Sequence, residues 1–459
     1  MGEKSTLLTP SLDSVVSRLG FGKYQYKLMF LSGVALLADG AEMAVLSLLT
    51  TILKTEWHLT QFSLGMLGSC MFLGMVLGTI FSALYADDIG RVSIMKVGTA
   101  AAFGSAICAA MAPEFFSFVV LRTITGISIG LCLPCSASYS LEICPKNYRG
   151  CFMISLELFF VFGQIAAVLM AFLLIPDLVG HNWRYLLLCS AIPMGISAVS
   201  LHFGVVESPF FYSSKGYGEE SVASLNLIAQ TNGQPQLTTQ EKESICGIKP
   251  QMQGNGFSKL KIVFNRKYVG QTLLLMFLWF IAVFEFYGMV FILPKSLAIG
   301  QDNKAFVLWG MLVMALVQIP STLTNMWVIE TPWLGRRTTI IICLICQTLC
   351  LTVAVFTFTN ISFIIAMAGV YFFCGIWFNT LYPYTGELYP TKVRSLALGI
   401  CNTWARIAGV LAPMTMLHLD GLSKTAPYML LCCFALVGFF VSLLMPTETR
   451  GKDLDKTSD

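Results

Sequence analysis

Twelve runs of about 20 or more mostly apolar residues recur along this chain, and they constrain its fold more than any other feature. They lie at roughly 28–53, 62–85, 94–112, 116–141, 151–175 and 184–206, and again at 269–293, 305–328, 338–358, 362–386, 395–417 and 426–446. Each is long enough to cross a hydrocarbon layer ~30 Å thick as an α-helix, which pairs its own backbone polar groups where there is no water. Only 12% of the residues are charged, where soluble domains carry about a quarter. The expected fold class is an all-α membrane protein with twelve transmembrane helices. Residues 207–268, between the sixth and seventh runs, include "TNGQPQLTTQEKES" and read as a loop with a short helix or two.

Lysine and arginine orient the chain. With the N-terminus in the cytoplasm, 22 of the 29 basic residues fall in inside segments and 5 in outside loops (Lys54, Arg184, Lys295, Lys304 and Lys424). That asymmetry predicts that both termini and the 207–268 loop are cytoplasmic. The basic residues form short clusters between apolar runs rather than one stripe, which argues against a nucleic-acid partner.

The two halves repeat. "EICPKNYR" (142–149) and "ELYPTKVR" (387–394) share E-x-x-P-x-x-x-R, and "GR" recurs at 90–91 and 335–336; both pairs are offset by 245 residues. Two unrelated elements at one offset indicate duplication. The chain therefore divides into an N-terminal segment (1–27), a six-helix bundle (28–206), the loop (207–268), a second six-helix bundle (269–446) and a tail (447–459). Six spans per half keep both copies in one orientation, the architecture of a rocking transporter with its site between the halves near the midplane.

Nearly all of the fifteen cysteines lie in apolar runs, so no disulfide framework is expected. Cys343-x-x-Cys346 lacks a second pair at metal spacing, and neither a metal nor any other cofactor is expected. No signal-peptide core opens the chain; "MGEKST" matches a myristoylation pattern and "EKSTLL" resembles an acidic dileucine sorting signal.

Charges inside spans are costly and usually face the bundle interior. Here they are Asp39, Glu42, Arg122, Glu157, Glu285 and Arg406. Asp39 and Glu42 are 12 residues from Lys27 and Lys54 respectively, about 18 Å at 1.5 Å per residue, and their i, i+3 spacing puts them on one helix face. Glu157 is only a turn or two from the edge and reads equally as an interfacial residue. Aromatic residues concentrate in "YFFCGIWFNTLYPY" (371–384), where Trp377 is a candidate to stack a planar substrate and Asn379 to hydrogen-bond it; packing or lipid contact is the competing reading. Gly126 and Gly130 form a small-xxx-small pair for close helix approach.

These motifs resemble the major facilitator superfamily. "ADDIGR" (86–91) is similar to its signature between the second and third spans, with Asp87, Gly90 and Arg91 in place; in the later copy, "IETPWLGRR", Pro332 stands where the acid belongs and Glu330 is a candidate substitute. "RTITGISIG" (122–130) resembles the fourth-span motif, and "ESPFFYSSKG" (207–216) and "PTETRG" (446–451) resemble segments of sugar porters and organic cation transporters. Within the superfamily, "LGFGKYQYKL", "ADGAEMAVLS", "NWRYLLLCSAIP", "WFIAVFEFYGM" and "ELYPTKVRSLALGICNTWARIAG" resemble the synaptic vesicle glycoprotein 2 family and its niacin-transporting bacterial relatives. The resemblance implies gating latches: Asp87 and Arg91 meeting Glu142 and Arg149 between the bundles, with Arg336, Glu387 and Arg394 in the copy. The positive-inside rule alone would also place Arg91 and Arg336 there. The resemblance to proton-coupled sugar porters further implies that Glu42 pairs with Arg122 and carries the coupling proton, Asp39 being a second acid or a contact for a cationic substrate. Glu285 and Arg406 complete the candidate substrate and coupling set.

The leading expectation is a secondary transporter of a small organic ion or an aromatic or carboxylated metabolite, proton-coupled, monomeric, in the plasma membrane or an endosomal or secretory vesicle membrane. Intramembrane acids outnumber bases, which leans toward cations; Arg122 and the niacin-like resemblance lean toward carboxylates. A non-transporting vesicle sensor or interaction protein is the alternative. An enzyme is not expected, since no nucleophile–base pair or nucleotide motif is present.

Overall fold

The structure, a computed structural model, describes residues 12–145, 148–178, 180, 182–247, 261–299, 305–329, 331, 334–357, 361–389, 393–446, 448 and 449, apart from the side chains of Cys151 and Ser395. The myristoylation and dileucine patterns, Glu330 and Pro332, and most of the 447–459 tail lie outside the described residues. A short helix α1 (Leu12–Leu19) precedes six long ones: α2 (Lys23–Glu56), α3 (Gln61–Ile89), α4 (Arg91–Ala110), α5 (Phe115–Ile143), α6 (Arg149–Leu174) and α7 (Trp183–Gly204). Three short helices follow, α8 (Pro209–Lys215), α9 (Gly218–Asn232) and α10 (Thr239–Cys246). The second set of long helices is α11 (Val269–Leu297), α12 (Ala305–Val328), α13 (Gly335–Phe356), α14 (Ile361–Glu387), α15 (Arg394–Leu422) and α16 (Ala426–Leu443). The twelve long helices are each long and apolar enough to cross a membrane.

Small residues set the packing of the first bundle. A Cβ on Gly126 or Gly130 of α5 would run into the Met71 or Met75 carbonyl of α3, and one on Gly74 or Gly78 of α3 would strike the Thr123 or Ile127 carbonyl of α5. The same reciprocal fit joins α2 and α6, where Gly40 faces the Phe160 carbonyl and Gly163 the Leu37 carbonyl. In lipid, where apolar burial does not drive association, such close approach supplies van der Waals contact.

The segment between the bundles is more ordered than a loop. Its apolar residues recur at helical spacing, and Leu225, Ile228 and Ala229 of α9 pack with Val15, Val16 and Leu19 of α1 against the ends of α2, α5 and α7. Thr238 and Glu241 form a capping box that starts α10, and Glu241 also takes the Arg18 guanidinium at 2.9 and 3.0 Å. Asn232 accepts the Tyr24 N–H at 2.9 Å. We call the end of the bundles that carries α1 and α8–α10 the near face, and the opposite end the far face.

The bundles meet from the midplane to the far face. Hydrogen bonds that bridge them run from Gln318 to Gln164 (2.8 Å), from Ser69 to the Val410 carbonyl (2.6 Å), from Lys295 to Gln61 (2.6 Å) and from Ser47 to the Val290 carbonyl. Phe72 packs against Tyr287 with ring centroids 4.3 Å apart and the ring planes tilted by 54°. A void of about 30 Å³ lies between the bundles, lined by Met43, Gln164, Val290 and Tyr371.

Candidate functional site

Asp39 and Glu42 are both near the middle of α2, and the fold sends them to different partners. Glu42, 2% exposed, accepts from Arg122 of α5 and from the Ser190 hydroxyl of α7 at 2.9 Å. Arg122 is fully buried, with its guanidinium 5.6 Å from the centroid of Phe118. Removing one partner of such a pair would leave an uncompensated buried charge, at a cost of about 3–5 kcal/mol.

Asp39, 4% exposed, faces a group of charges shared by the two bundles. Arg406 of α15 acts on it electrostatically, and so does Glu157 of α6. Arg406 and Glu157 are half-buried although both lie within spans. The Tyr287 hydroxyl lies beside Arg406, and Tyr382 of α14, 38% exposed, is in electrostatic reach of Glu157 and Arg406. These groups lie between the bundles at mid-depth, where the far-face contacts are closed; we take the space they border as a cleft that faces the near side.

The C-terminal bundle holds a separate polar chain. The Trp377 indole donates to Gln347 at 2.6 Å, and the Gln347 amide donates to Glu285 at 2.7 Å. An indole only donates, so Gln347 must turn its oxygen to Trp377 and its nitrogen to Glu285. Trp377, Gln347 and Glu285 all have 0% exposure. Trp377, a candidate to stack substrate, is thus a core residue of this bundle and does not line the cleft. The all-apolar surroundings of its helix hid which face it occupies. Asn379 is half-buried on roughly the opposite side of α14, two residues or about 200° away.

At the near face the ion pairs expected as latches form within each bundle, not between them. Arg91 pairs with Asp87 at 3.1 Å and Glu142 at 3.0 Å. In the copy, Arg336 pairs with Glu387 at 3.2 Å. Arg149, expected in the first latch, instead binds Asp13 at 2.8 Å and the Cys144 carbonyl at 3.0 Å, because α1 folds back over the turn between α5 and α6. Arg394 is half-buried and makes no ion pair with Glu387 among the described residues.

Comparison with known proteins decides the family. The family model described as "Sugar (and other) transporter" matches residues 19–459. The chain belongs to that family. It is 30% identical to the synaptic vesicle 2-related protein of Rattus norvegicus, over 97% of this chain and 82% of that one. It is 27% identical to the niacin transporter NiaP of Acinetobacter baylyi, over 97% and 99%. The proton:xylose symporter XylE bound to 6-bromo-6-deoxy-D-glucose superposes with a TM-score of 0.76 at 18% identity, over 95% of this chain and 99% of that one. The fold is that of the major facilitator superfamily, whose members are transporters and not enzymes.

This sugar-transporter-family chain carries two further carboxylates beside the expected latches that sequence reasoning passed over, Glu207 and Glu448. The Glu207 carboxylate caps the N-terminus of α4, accepting from the backbone of Val92 (3.0 and 3.1 Å) and Ser93 (3.4 Å). Glu448 does the same for α13, accepting from Arg336 (2.7 Å), Arg337 (2.9 Å) and Thr338 (3.3 Å). Carboxylates suit these positions because the first N–H groups of a helix are unpaired and its dipole is positive there. Ser208 then donates to Glu142 (2.5 Å), and Thr449 to Glu387 (2.6 Å). The available signal was Glu followed by a hydroxyl residue after each bundle; the two copies are 241 rather than 245 residues apart, so the repeat offset did not reveal them.

Proposed function

We propose that this protein is a proton-coupled secondary transporter of a small organic ion or aromatic carboxylate, working by alternating access. The observation that carries the reading is the buried pair of Glu42 and Arg122 at mid-depth, about one turn of α2 from the charge group around Asp39. While Arg122 and Ser190 hold Glu42, the carboxylate is compensated in a dry bundle. When a shift of α2 against α5 within the first bundle accompanies rocking and separates the pair, the lone acid takes up a proton, because an unpaired carboxylate in low dielectric is far costlier than the neutral acid. Return to the paired state releases it on the other side, and the substrate shares the same cycle. The niacin transporter relative supports an aromatic carboxylate, and the cleft residues Asp39, Glu157 and Arg406 are the proposed substrate contacts. The near face is proposed to be cytoplasmic, from the distribution of lysine and arginine. The synaptic vesicle 2-related relatives support a vesicle membrane. The unit is proposed to be a monomer.

The test is uptake by proteoliposomes of an organic-cation, aromatic-acid and sugar panel with and without a pH gradient, comparing the wild type with Glu42→Gln. The variant should lose gradient-driven accumulation and keep exchange of labelled for unlabelled substrate. Full gradient-driven uptake by the variant would sink the coupling assignment, and failure of every solute in both formats would favour a vesicle sensor.

A further inference from the structure

We infer that the charge group of Asp39, Glu157 and Arg406 takes a zwitterion, a small aromatic molecule with a carboxylate at one end and a cationic nitrogen at the other. The inference rests on the transporter reading and names the substrate class of that same cleft. Asp39 is 4% exposed, and its Oδ1 has no hydrogen-bond partner. The buried Nε of Arg406 also lacks one. Arg406 acts on both Asp39 and Glu157, yet neither acid comes within ion-pair distance of it among the described residues. The acids belong to the N-terminal bundle, on α2 and α6, and the base to the C-terminal bundle, on α15.

Opposite charges held apart in a protein interior keep their desolvation cost and forgo most of their attraction. A ligand that is itself a dipole ends that conflict, its cationic nitrogen on Asp39 and its carboxylate on Arg406. A simple anion would satisfy Arg406 and leave Asp39 bare; a simple cation would do the reverse. The walls suit a flat ring. Tyr287 lies beside Arg406, Tyr382 is exposed in reach of Glu157 and Arg406, and Phe160 and Phe286 face each other across the bundles with centroids 6.2 Å apart. A molecule bridging α2 and α15 also draws the two bundles together at mid-depth, which is what closing the cleft requires.

The experiment measures equilibrium binding to the purified protein in detergent, with no membrane and no gradient. Four probes share one ring: N-methylnicotinate (zwitterion), nicotinate (anion), N-methylnicotinamide (cation) and nicotinamide (neutral). The zwitterion should bind at least tenfold more tightly than any other. Asp39→Asn should weaken the zwitterion and the cation and spare the anion; Arg406→Gln should weaken the zwitterion and the anion and spare the cation. The wild-type ranking decides the matter even if a variant misfolds. An anion or cation binding as well as the zwitterion overturns the inference, as does a panel in which nothing binds or in which both variants weaken all four probes alike. Because no transport is measured, loss of proton coupling or of uptake would count against the transporter reading alone and leave the ranking untouched.

Discussion

At the scale of single residues, the buried polar chain in the C-terminal bundle makes a sharp prediction. Trp377→Phe keeps the ring and removes the N–H that Gln347 accepts, leaving a buried acceptor without a donor. The expected loss is about 1–3 kcal/mol of stability, read as a lowered thermal midpoint, with substrate affinity unchanged. A drop in affinity at unchanged stability would return Trp377 to the cleft. Gly90 and Gly335 offer a matched pair. Both have positive φ (106° and 65°), and a Cβ at either would crowd the carboxylate, of Glu207 or Glu448, that caps the next helix. Alanine at either should cost about 1–2 kcal/mol for the backbone alone, with slowed cycling and unaltered substrate affinity. Intramembrane charges and the duplicated near-face acids were legible in the sequence because lipid makes such residues rare. Their facing was not. A helix apolar on every side shows no amphipathic stripe, so nothing in its spacing separates Trp377 in a bundle core from Tyr382 on a cleft.

At the scale of elements, the spans were readable to within a few residues because length and apolar content are what a bilayer demands. The packing partners were partly readable from glycine spacing, as at Gly126 and Gly130. Gly163→Leu should separate α2 from α6 and abolish accumulation of folded protein, since the added side chain would occupy the place of the Leu37 carbonyl. Retained fluorescence-detected elution as a sharp monodisperse peak would contradict the assigned crossing. The short helices were under-read because α8 and α10 run only about two turns each. Their docking should depend on acid. Burial disfavours the charged form of Glu241, but the Thr238 backbone and hydroxyl donors and the Arg18 guanidinium outweigh it and hold the carboxyl below its ordinary range. A depressed carboxyl stabilises the docked form above its unfolded value, about 4.3, and that support is lost as pH falls through the lower folded value. Proteolytic cutting within 209–247 should therefore rise in strong acid, and Glu241→Gln should show the raised cutting already at neutral pH.

For the molecule as a whole, the two bundles meet at a far side that is shut. Gly68 of α3 packs against Phe291 and Pro413 of the other bundle, where a Cβ would sit 2.7 and 2.8 Å from their side chains. Gly68→Trp should wedge the far side open and so close the near side. A cysteine placed at Tyr382 would then react more slowly with a polar thiol reagent than in the wild-type background; equal or faster reaction would refute the cleft's direction. Quenching of fluorescent tags at both termini from the cytoplasmic side would check the orientation, and a lumenal signal from either end would reverse it.

The far-side closure has one more property. Two of its bonds are made by serine hydroxyls, Ser47 and Ser69, on main-chain oxygens, those of Val290 and Val410. Every amino acid carries that oxygen, so the C-terminal bundle can change its side chains at 290 and 410 without forfeiting the closure, while the N-terminal bundle must retain a small hydroxyl at 47 and 69. Heritable variation in a lineage of such chains should be lopsided: permissive on the accepting half, narrow on the donating half. The two halves, duplicates by origin, would then drift at different rates along the very seam where they touch.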